Sequence, residues 1–369
     1  MKPARLPAVD QRLVVLVMAL LGMGVVMVFS ASSVTAYVNF NTPYYFLIRQ
    51  LIWAALGGAA AWFFSRYDYH QFQRHTKALG ILALILLVAV LIPHVGRVIA
   101  GGRRWLGFGA LEFQPSELAK LALAIVFAGT LTSGRFPPAD LKKGFLPHVI
   151  AVALVFFLVL KEPDLGTALC LGATAFIMLY LAGARLGYLG GTLLVAIPAV
   201  IYEVVHKAYR LQRLLAFIDP AKNPLGSGYH ILQSLFALGS GGFVGVGLGR
   251  SAFKFFYLPE QYTDFIFAIL GNELGFIGGA VVLVLFVMLL WRGFKIAAEA
   301  PDSYGRLLAA GLTSMILIQA LLNVAVVTDS LPVTGVPLPF ISYGGSSLVF
   351  TLIGVGILLN ISRQRRERN

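Results

Sequence analysis

The segment Leu258-Pro259-Glu260-Gln261-Tyr262-Thr263-Asp264-Phe265-Ile266-Phe267-Ala268-Ile269 carries a polar stretch with two carboxylates straight into a long apolar run. Asp264 stands at the mouth of that run, where hydrocarbon would meet water. An ionisable side chain at the edge of a membrane span is costly, and its first reading is functional. Downstream, Thr334-Gly335-Val336-Pro337-Leu338-Pro339-Phe340-Ile341-Ser342-Tyr343-Gly344-Gly345-Ser346-Ser347 forms a Pro/Gly-broken, Ser-rich lead into the last apolar run. Together the two stretches predict a membrane-embedded site facing one side of the bilayer.

The rest of the chain agrees. Of 369 residues, 58% are hydrophobic and 12% charged, and the mean hydropathy is +0.83. That charge content is about half the soluble average. The expected fold is an all-α integral membrane protein. A span needs about 20 mostly apolar residues. Read by that length, the sequence offers about ten spans, at 12–33, 47–65, 76–94, 116–132, 146–160, 165–181, 186–205, 264–291, 306–328 and 340–361. They form one polytopic domain over 1–369, whose only long connection, 206–263, lies between the seventh and eighth spans. The first apolar run is too long for an ordinary signal peptide and reads as an uncleaved anchor. One cysteine, Cys170, and six scattered histidines give neither a disulfide framework nor metal-ligand spacing. The net charge of +13 points, in so apolar a chain, to topology and anionic membrane lipids, not to nucleic acid.

Seventeen Lys and Arg residues fall on the side of the termini and ten on the other, with Arg49 and Lys120 inside spans. The positive-inside rule therefore puts both termini in the cytoplasm. The ten exported basic residues cluster in connections 95–115, 161–164 and 206–263. Long loops tolerate such charge; the sharper reading is an anionic substrate such as a diphosphate. Arg210 and Arg213, three apart among apolar residues, share a face on an interfacial helix. The glycine-rich run 239–250 reads either as a re-entrant loop or as a backbone cradle for phosphate.

Several further pairs stand out. Glu260 and Asp264 would share a face if the helix extended back through them; alternatively Asp264 is a helix N-cap. Glu117 and Lys120, three apart at the start of the fourth span, should pair, as a structural lock or as support for catalysis. Arg103-Arg104-Trp105 reads as a phosphate clamp or an interfacial anchor. In Glu162-Pro163-Asp164-Leu165-Gly166-Thr167, Pro163 and Gly166 set a turn whose two acids could cap the next helix or line a metal or substrate site, with turn chemistry the better reading for Asp164. Glu273, nine residues into the eighth span, must face protein or a cavity. Gln319 and Asn323 read as interhelical hydrogen-bonding groups.

These motifs resemble the SEDS family (shape, elongation, division and sporulation), the FtsW/RodA/SpoVE proteins. The resemblance rests on Phe29-Ser30-Ala31-Ser32, Arg103-Arg104-Trp105-Leu106, Gln114-Pro115-Ser116-Glu117-Leu118-Ala119-Lys120 and Glu162-Pro163-Asp164-Leu165-Gly166-Thr167-Ala168. It continues through Tyr209-Arg210, Gln212-Arg213, Gly226-Ser227-Gly228-Tyr229, Gln233-Ser234 and the two stretches quoted first. The wording of Pro332-Val333-Thr334-Gly335 and of Ser342 to Ser347 is closer to the FtsW/SpoVE branch than to RodA. Gly271-Asn272-Glu273 departs from the family, which often has two adjacent acids there.

The resemblance implies a peptidoglycan glycosyltransferase that polymerises lipid II at the outer face of the cytoplasmic membrane. It places the essential acid on Asp264 and implies a class B penicillin-binding protein as partner. The leaving group is a lipid-linked diphosphate, so Arg103, Arg104, Arg210 and Arg213 are expected donors to it. Glu117 and Lys120 are expected to support catalysis; Glu260, Gln233, Ser342 and Ser346 are expected along the substrate path. One base suffices for inverting displacement, whereas retention would need a second carboxylate such as Glu260. No metal site and no cofactor is read, and a divalent cation, Mg or Mn, stays open. The competing readings are a lipid II flippase and a non-catalytic division scaffold.

Overall fold

A computed structural model of the chain describes residues 9–99, 101–108, 111–255 and 257–364. Each apolar run read from the sequence is a helix. In chain order these are α1 (Gln11–Phe40), α2 (Tyr45–Phe64), a short α3 (His70–Arg74), α4 (Thr76–Leu91), α5 (Pro115–Leu131), α6 (Leu146–Lys161), α7 (Leu165–Leu181) and α8 (Leu186–Val205). Two shorter helices follow in the long connection, α9 (Ala208–Ile218) and α10 (Tyr229–Gly241), then α11 (Ile266–Glu299), α12 (Ser303–Val327) and α13 (Gly345–Arg363). Among the described residues seven helices are long and apolar enough to cross a membrane. Thr76–Leu91 and Leu165–Leu181 are apolar but shorter, and α5 carries the charges of Glu117 and Lys120. Among the described residues the one non-helical element, unread in the sequence, is a small antiparallel sheet of β1 (Arg97–Ile99), β2 (Gly102–Phe108) and β3 (Leu111–Phe113), in the order β1-β2-β3.

Aspartates start three of the helices. The Asp10 carboxylate accepts from the Leu13 N–H at 3.1 Å, that of Asp164 from Thr167 at 3.0 Å, and that of Asp302 from Gly305 at 2.8 Å. Each satisfies an amide that the first turn leaves open. Asp10 also pairs with Arg292 near the end of α11, and its own N–H donates to the Ser362 hydroxyl at 3.4 Å. Both ends of the described chain therefore lie at one end of the bundle. Helices α12 and α13 are largely enclosed, whereas α8 buries only Leu189 and stands away from the bundle. Where α13 crosses α2, a side chain on Gly356 would collide with the Ala61 backbone. Small residues permit such close approach of membrane helices.

The element that organises the site is a break in α11. Gly275 has φ 69° and ψ −170°, which only glycine adopts without strain. The break frees carbonyls before it and amides after it, and no water is present at membrane depth to solvate them. The glycine-rich segment supplies the partners. Val246 and Gly247 donate to the carbonyls of Asn272 and Glu273 at 3.0 and 3.1 Å. Phe276 and Ile277 donate to those of Gly242 and Phe243 at 2.8 and 3.1 Å. The amides of Val246 and Gly247 are thus consumed by α11, which corrects the reading of this loop as a phosphate cradle. It patches the broken backbone of α11.

Glu273, the last carboxylate before the break, is fully buried and accepts from Ser30 of α1 at 2.8 and 2.6 Å. Lys254 lies 4.0 Å from it, and the Gln261 amide donates to the Ala31 carbonyl, the Thr35 hydroxyl and the Lys254 carbonyl at 3.0–3.1 Å. Asn272, where the family often has an acid, donates to Ala237 and Ser240 of α10 at 3.0 and 2.8 Å.

A side chain on Gly275 would both strain the backbone and strike Gly245 and Phe243 of the loop. Positive-φ strain alone costs about 1–3 kcal/mol. Gly275→Ala should therefore lower the thermal midpoint of the detergent-solubilised protein. Gly58→Ala, at a site with open space, should leave it unchanged. Equal midpoints for the two variants would refute the account of the break.

Candidate active site

The segment between the loop and α11 is turn, not helix. Glu260 takes φ 52°, and α11 begins at Ile266 with Phe265 as its N-cap. This corrects both earlier readings: Glu260 and Asp264 do not share a helical face, and Asp264 is not the cap. Its backbone is fixed from two sides. The Asn323 amide of α12 donates to the Asp264 carbonyl at 2.7 Å and to that of Val336 at 2.8 Å. The Ser342 hydroxyl donates to the neighbouring Thr263 carbonyl at 2.6 Å, and the Tyr343 amide to that of Tyr262 at 2.9 Å. Gly335, at φ 75°, passes so close that a Cβ there would lie 3.3 Å from Asp264 Oδ2. The main chain is pinned while the half-buried carboxylate stays open.

Acids and arginines surround that carboxylate. Burial first, then the charges of Glu260 and Asp164, push the pKa of Asp264 up to about 7; Arg104 and Arg213 pull it back down. A carboxylate tuned near neutrality takes and releases protons at working pH. Glu162 is fully buried, and neither carboxyl oxygen has a hydrogen-bond partner. Burial and Asp164 raise its pKa to about 9 against the pull of Arg104. Asp164, besides capping α7, accepts from Gln114 at 3.1 Å.

The four arginines part company. Arg104 donates to the Glu162 and Pro163 carbonyls at 2.9 and 2.7 Å and faces the acids. Arg103 is its neighbour on β2, where successive side chains point to opposite faces; it donates to the Leu91 carbonyl at 3.3 Å, away from the site. Arg210 is buried and spent: it pairs with Glu203 at 2.7 Å and reaches the Leu160 carbonyl at 3.2 Å. Arg213, a turn further along α9, is exposed, donates to the Val333 carbonyl at 3.2 Å and acts on Asp264. Arg104 and Arg213 thus act on Asp264, whereas Arg103 and Arg210 serve as ties.

Glu117 and Lys120 do pair, at 2.9 Å, with both nearly inaccessible. Lys120 also donates to Gln319 Oε1 at 2.6 Å, and the Gln319 amide donates to the Pro337 carbonyl at 3.0 Å and the Ser347 hydroxyl at 3.2 Å. The pair therefore lies beneath the turn that covers Asp264 and props it through Gln319. Ser346 bridges the Gln114 amide and the Glu112 carbonyl at 3.3 and 3.4 Å, so Ser342 and Ser346 hold backbone. Glu260 accepts from Thr263 at 2.8 Å, and Gln233 is half-buried on α10.

Sequence reasoning passed over His230, one turn before Gln233. Its ring lies 5.8 Å from that of Phe265, its Nδ1 is buried without a partner, and burial with Arg213 lowers its pKa while Glu260 opposes. The signal was its place between Tyr229 and Gln233 in a motif already singled out. Beside the basic end of α9 runs an apolar groove of about 240 Å³, lined by Leu169, Val200, Val204, Leu214, Leu322 and Val333.

The family described as Cell cycle protein, FtsW/RodA/SpoVE, matches residues 11–367. The chain belongs to that family. Among FtsW/RodA/SpoVE relatives, stage V sporulation protein E of Bacillus subtilis (strain 168) is 45% identical over 357 residues, covering 97% of this chain and 98% of the relative. The probable peptidoglycan glycosyltransferase FtsW of Trichlorobacter lovleyi is 47% identical, covering 98% and 95%. A chain of a solved peptidoglycan synthase complex, described as coordinating polymerization and crosslinking, matches with a TM-score of 0.80 at 32% identity, covering 97% and 98%. The rod shape determining protein RodA of Thermus thermophilus matches at 0.72 and 29%, covering 98% of both chains.

Removing one charge from the Glu117–Lys120 pair should cost about 3–5 kcal/mol, because the other is left buried and alone. Glu117→Ala and Lys120→Ala should each lower the midpoint in detergent, and the double variant should recover most of the loss. Losses that simply add would show that the two side chains are not partners.

Proposed function

We propose that this chain is a multi-pass membrane peptidoglycan glycosyltransferase of the FtsW/SpoVE branch. It joins lipid II units at the outer face of the cytoplasmic membrane, with Asp264 as general base. The observation that carries this is the pinned, open carboxylate of Asp264 beside Arg104 and Arg213. Its relatives named peptidoglycan glycosyltransferase match almost end to end. The charge count puts both termini in the cytoplasm and the Asp264 end outside, with about ten crossings of the bilayer and connection 206–263 exported.

The 4-hydroxyl of the acceptor sugar gives its proton to Asp264 while its oxygen attacks the anomeric carbon of the donor. The bond to the diphosphate breaks, and its electron pair leaves with the lipid. Arg104 and Arg213 are the groups that meet the growing charge, since a guanidinium fork matches phosphate oxygens. An α-linked donor yields a β-linked glycan in one displacement, so no second nucleophile is needed. Glu260, engaged by Thr263, is not required for it. The apolar groove takes the prenyl chain. Among the described residues no three acid, histidine or cysteine side chains gather as a metal ligand set. A divalent cation, magnesium or manganese, would be held chiefly by the donor's diphosphate oxygens and would offset their charge. The match to a synthase complex supports a partner of the penicillin-binding class, which would cross-link the strands.

Asp264→Asn keeps the size of the side chain and removes its basicity. Polymerisation of lipid II by the purified protein should fall at least about a hundredfold, with the thermal midpoint kept. In the wild type the rate should climb as pH rises through about 7, because the base must be ionised and its pKa lies there. Near wild-type polymerisation by Asp264→Asn would end the assignment and return the flippase and scaffold readings.

A further inference from the structure

Gln319 and Asn323 stand one turn apart on α12, and both reach into the segment that leads to α13. The Gln319 amide donates to the Pro337 carbonyl at 3.0 Å, and the Asn323 amide to that of Val336 at 2.8 Å. The oxygen of Gln319 is taken up by Lys120. Asn323 instead gives its second N–H to the Asp264 carbonyl at 2.7 Å. In a longer helix that carbonyl would meet the amide four residues on, that of Ala268. The Ala268 amide turns back to the Phe265 carbonyl at 3.0 Å. Helix α11 therefore starts past Asp264, and a side chain of α12 stands in for the missing helical bond.

Asn323 is buried, and its Oδ1 has no partner. A buried amide oxygen left unmatched is costly, and leucine would fill a similar volume without that cost. What leucine lacks is the pair of N–H groups. Both of their partners are carbonyls, which fixes the orientation of the amide. Each carbonyl belongs to main chain that encloses the base. The segment 334–336 is pressed from the other side by α7, where a Cβ on Gly166 would collide with the Val336 side chain. Within it Gly335 passes over the carboxylate of Asp264. One amide thus holds both the main chain that carries the carboxylate and the main chain that roofs it. The charges that act on Asp264 come from elsewhere: Glu260 from the turn before it, Asp164 from the start of α7, Arg104 from β2 and Arg213 from α9. Helix α12 contributes an uncharged donor.

We propose that Asn323 is the positioning residue of the base: its two N–H groups set how deep the Asp264 carboxylate sits beneath the Gly335 turn. This rests on the glycosyltransferase reading, in which Asp264 takes a proton from the acceptor hydroxyl. A base displaced by a fraction of its own length no longer meets that hydroxyl in line. Depth also sets basicity, because burial is the first of the effects that raise the pKa of Asp264. Without the strap, residues 263–265 move toward water, and the carboxylate becomes both misaimed and more acidic. Asn323 touches no reacting atom; it acts through the backbone of the residue that does.

The test is the pH–rate profile of polymerisation at saturating lipid II, with half-saturation measured alongside, for the wild type, Asn323→Ala, Asn323→Leu and Asn360→Ala. Asn360→Ala is the control. Asn360 is also buried, donates to the Ser65 carbonyl and accepts from the Tyr69 amide, both at 3.1 Å, near the far end of α13. Asn323→Ala and Asn323→Leu should lower the saturating rate about ten- to hundredfold and leave half-saturation within about twofold. The pH of half-maximal rate should fall by about one unit, since a carboxylate nearer water is more acidic. Asn360→Ala should lower the thermal midpoint as Asn323→Ala does and leave the pH of half-maximal rate in place. If both Asn323 variants keep the wild-type pH of half-maximal rate, the proposal is overturned, because a smaller folded fraction lowers the rate without moving that pH. A wild-type rate in Asn323→Leu overturns it in favour of space filling. A raised half-saturation with an unmoved saturating rate overturns it in favour of a substrate contact. The ionisation of Asp264 is followed in parallel by the infrared carboxyl band that differs between each protein and its Asp264→Asn counterpart, and this band should shift with the rate profile. A wild-type protein that makes no polymer overturns the glycosyltransferase reading by itself, and the infrared titration then decides on Asn323.

Discussion

The site depends on one constraint: backbone groups at membrane depth must find partners inside the protein. Helix α11 breaks at Gly275, and the carbonyls and amides freed there are answered by residues 242–247. That exchange fixes where the glycine-rich loop can lie. The loop in turn delivers Ser251, Lys254 and Gln261 to α1 and Glu273, and the chain then has only a few residues before α11 begins. Asp264 falls in that short interval. Its position follows from a break in a helix that lies beyond it in the chain, through contacts that are almost all backbone or buried.

A second layer of control is electrostatic. Asp264 shares its surroundings with Glu260 and Asp164, and Glu162 lies against Asp164 and Arg104. Acids set so close together do not all ionise as freely as they would in water, and two arginines do not neutralise them. The arrangement raises the basicity of Asp264 and leaves Glu162 uncharged at neutral pH. On the proposed function an arriving diphosphate would add more negative charge, which Arg104 and Arg213 would meet.

Much of this was legible in the sequence. Apolar runs set the helices, since hydrocarbon admits little else. Asp264 stood out because an acid at a span edge is expensive, and Glu117–Lys120 because their spacing puts them side by side. What stayed hidden depended on tertiary partners. Arg210 and Arg213 look alike three residues apart, yet Glu203 claims the first and leaves the second open. The glycine run has the composition of an anion cradle, and only the break in α11 shows that its amides are already taken. His230 gave no metal spacing, and its value comes from Phe265 and Arg213, far away in the chain or on another helix. The strands at 97–113 are too short and too arginine-rich to announce themselves.

Helix α8 buries a single residue and leaves an apolar groove along its flank. A molecule that enters there travels within the leaflet and never through water. The quantity that governs its encounter with the enzyme is then surface density, a number per area of membrane. Doubling the membrane at fixed reactant would halve that density and slow every encounter that depends on it, although nothing in the aqueous phase had changed.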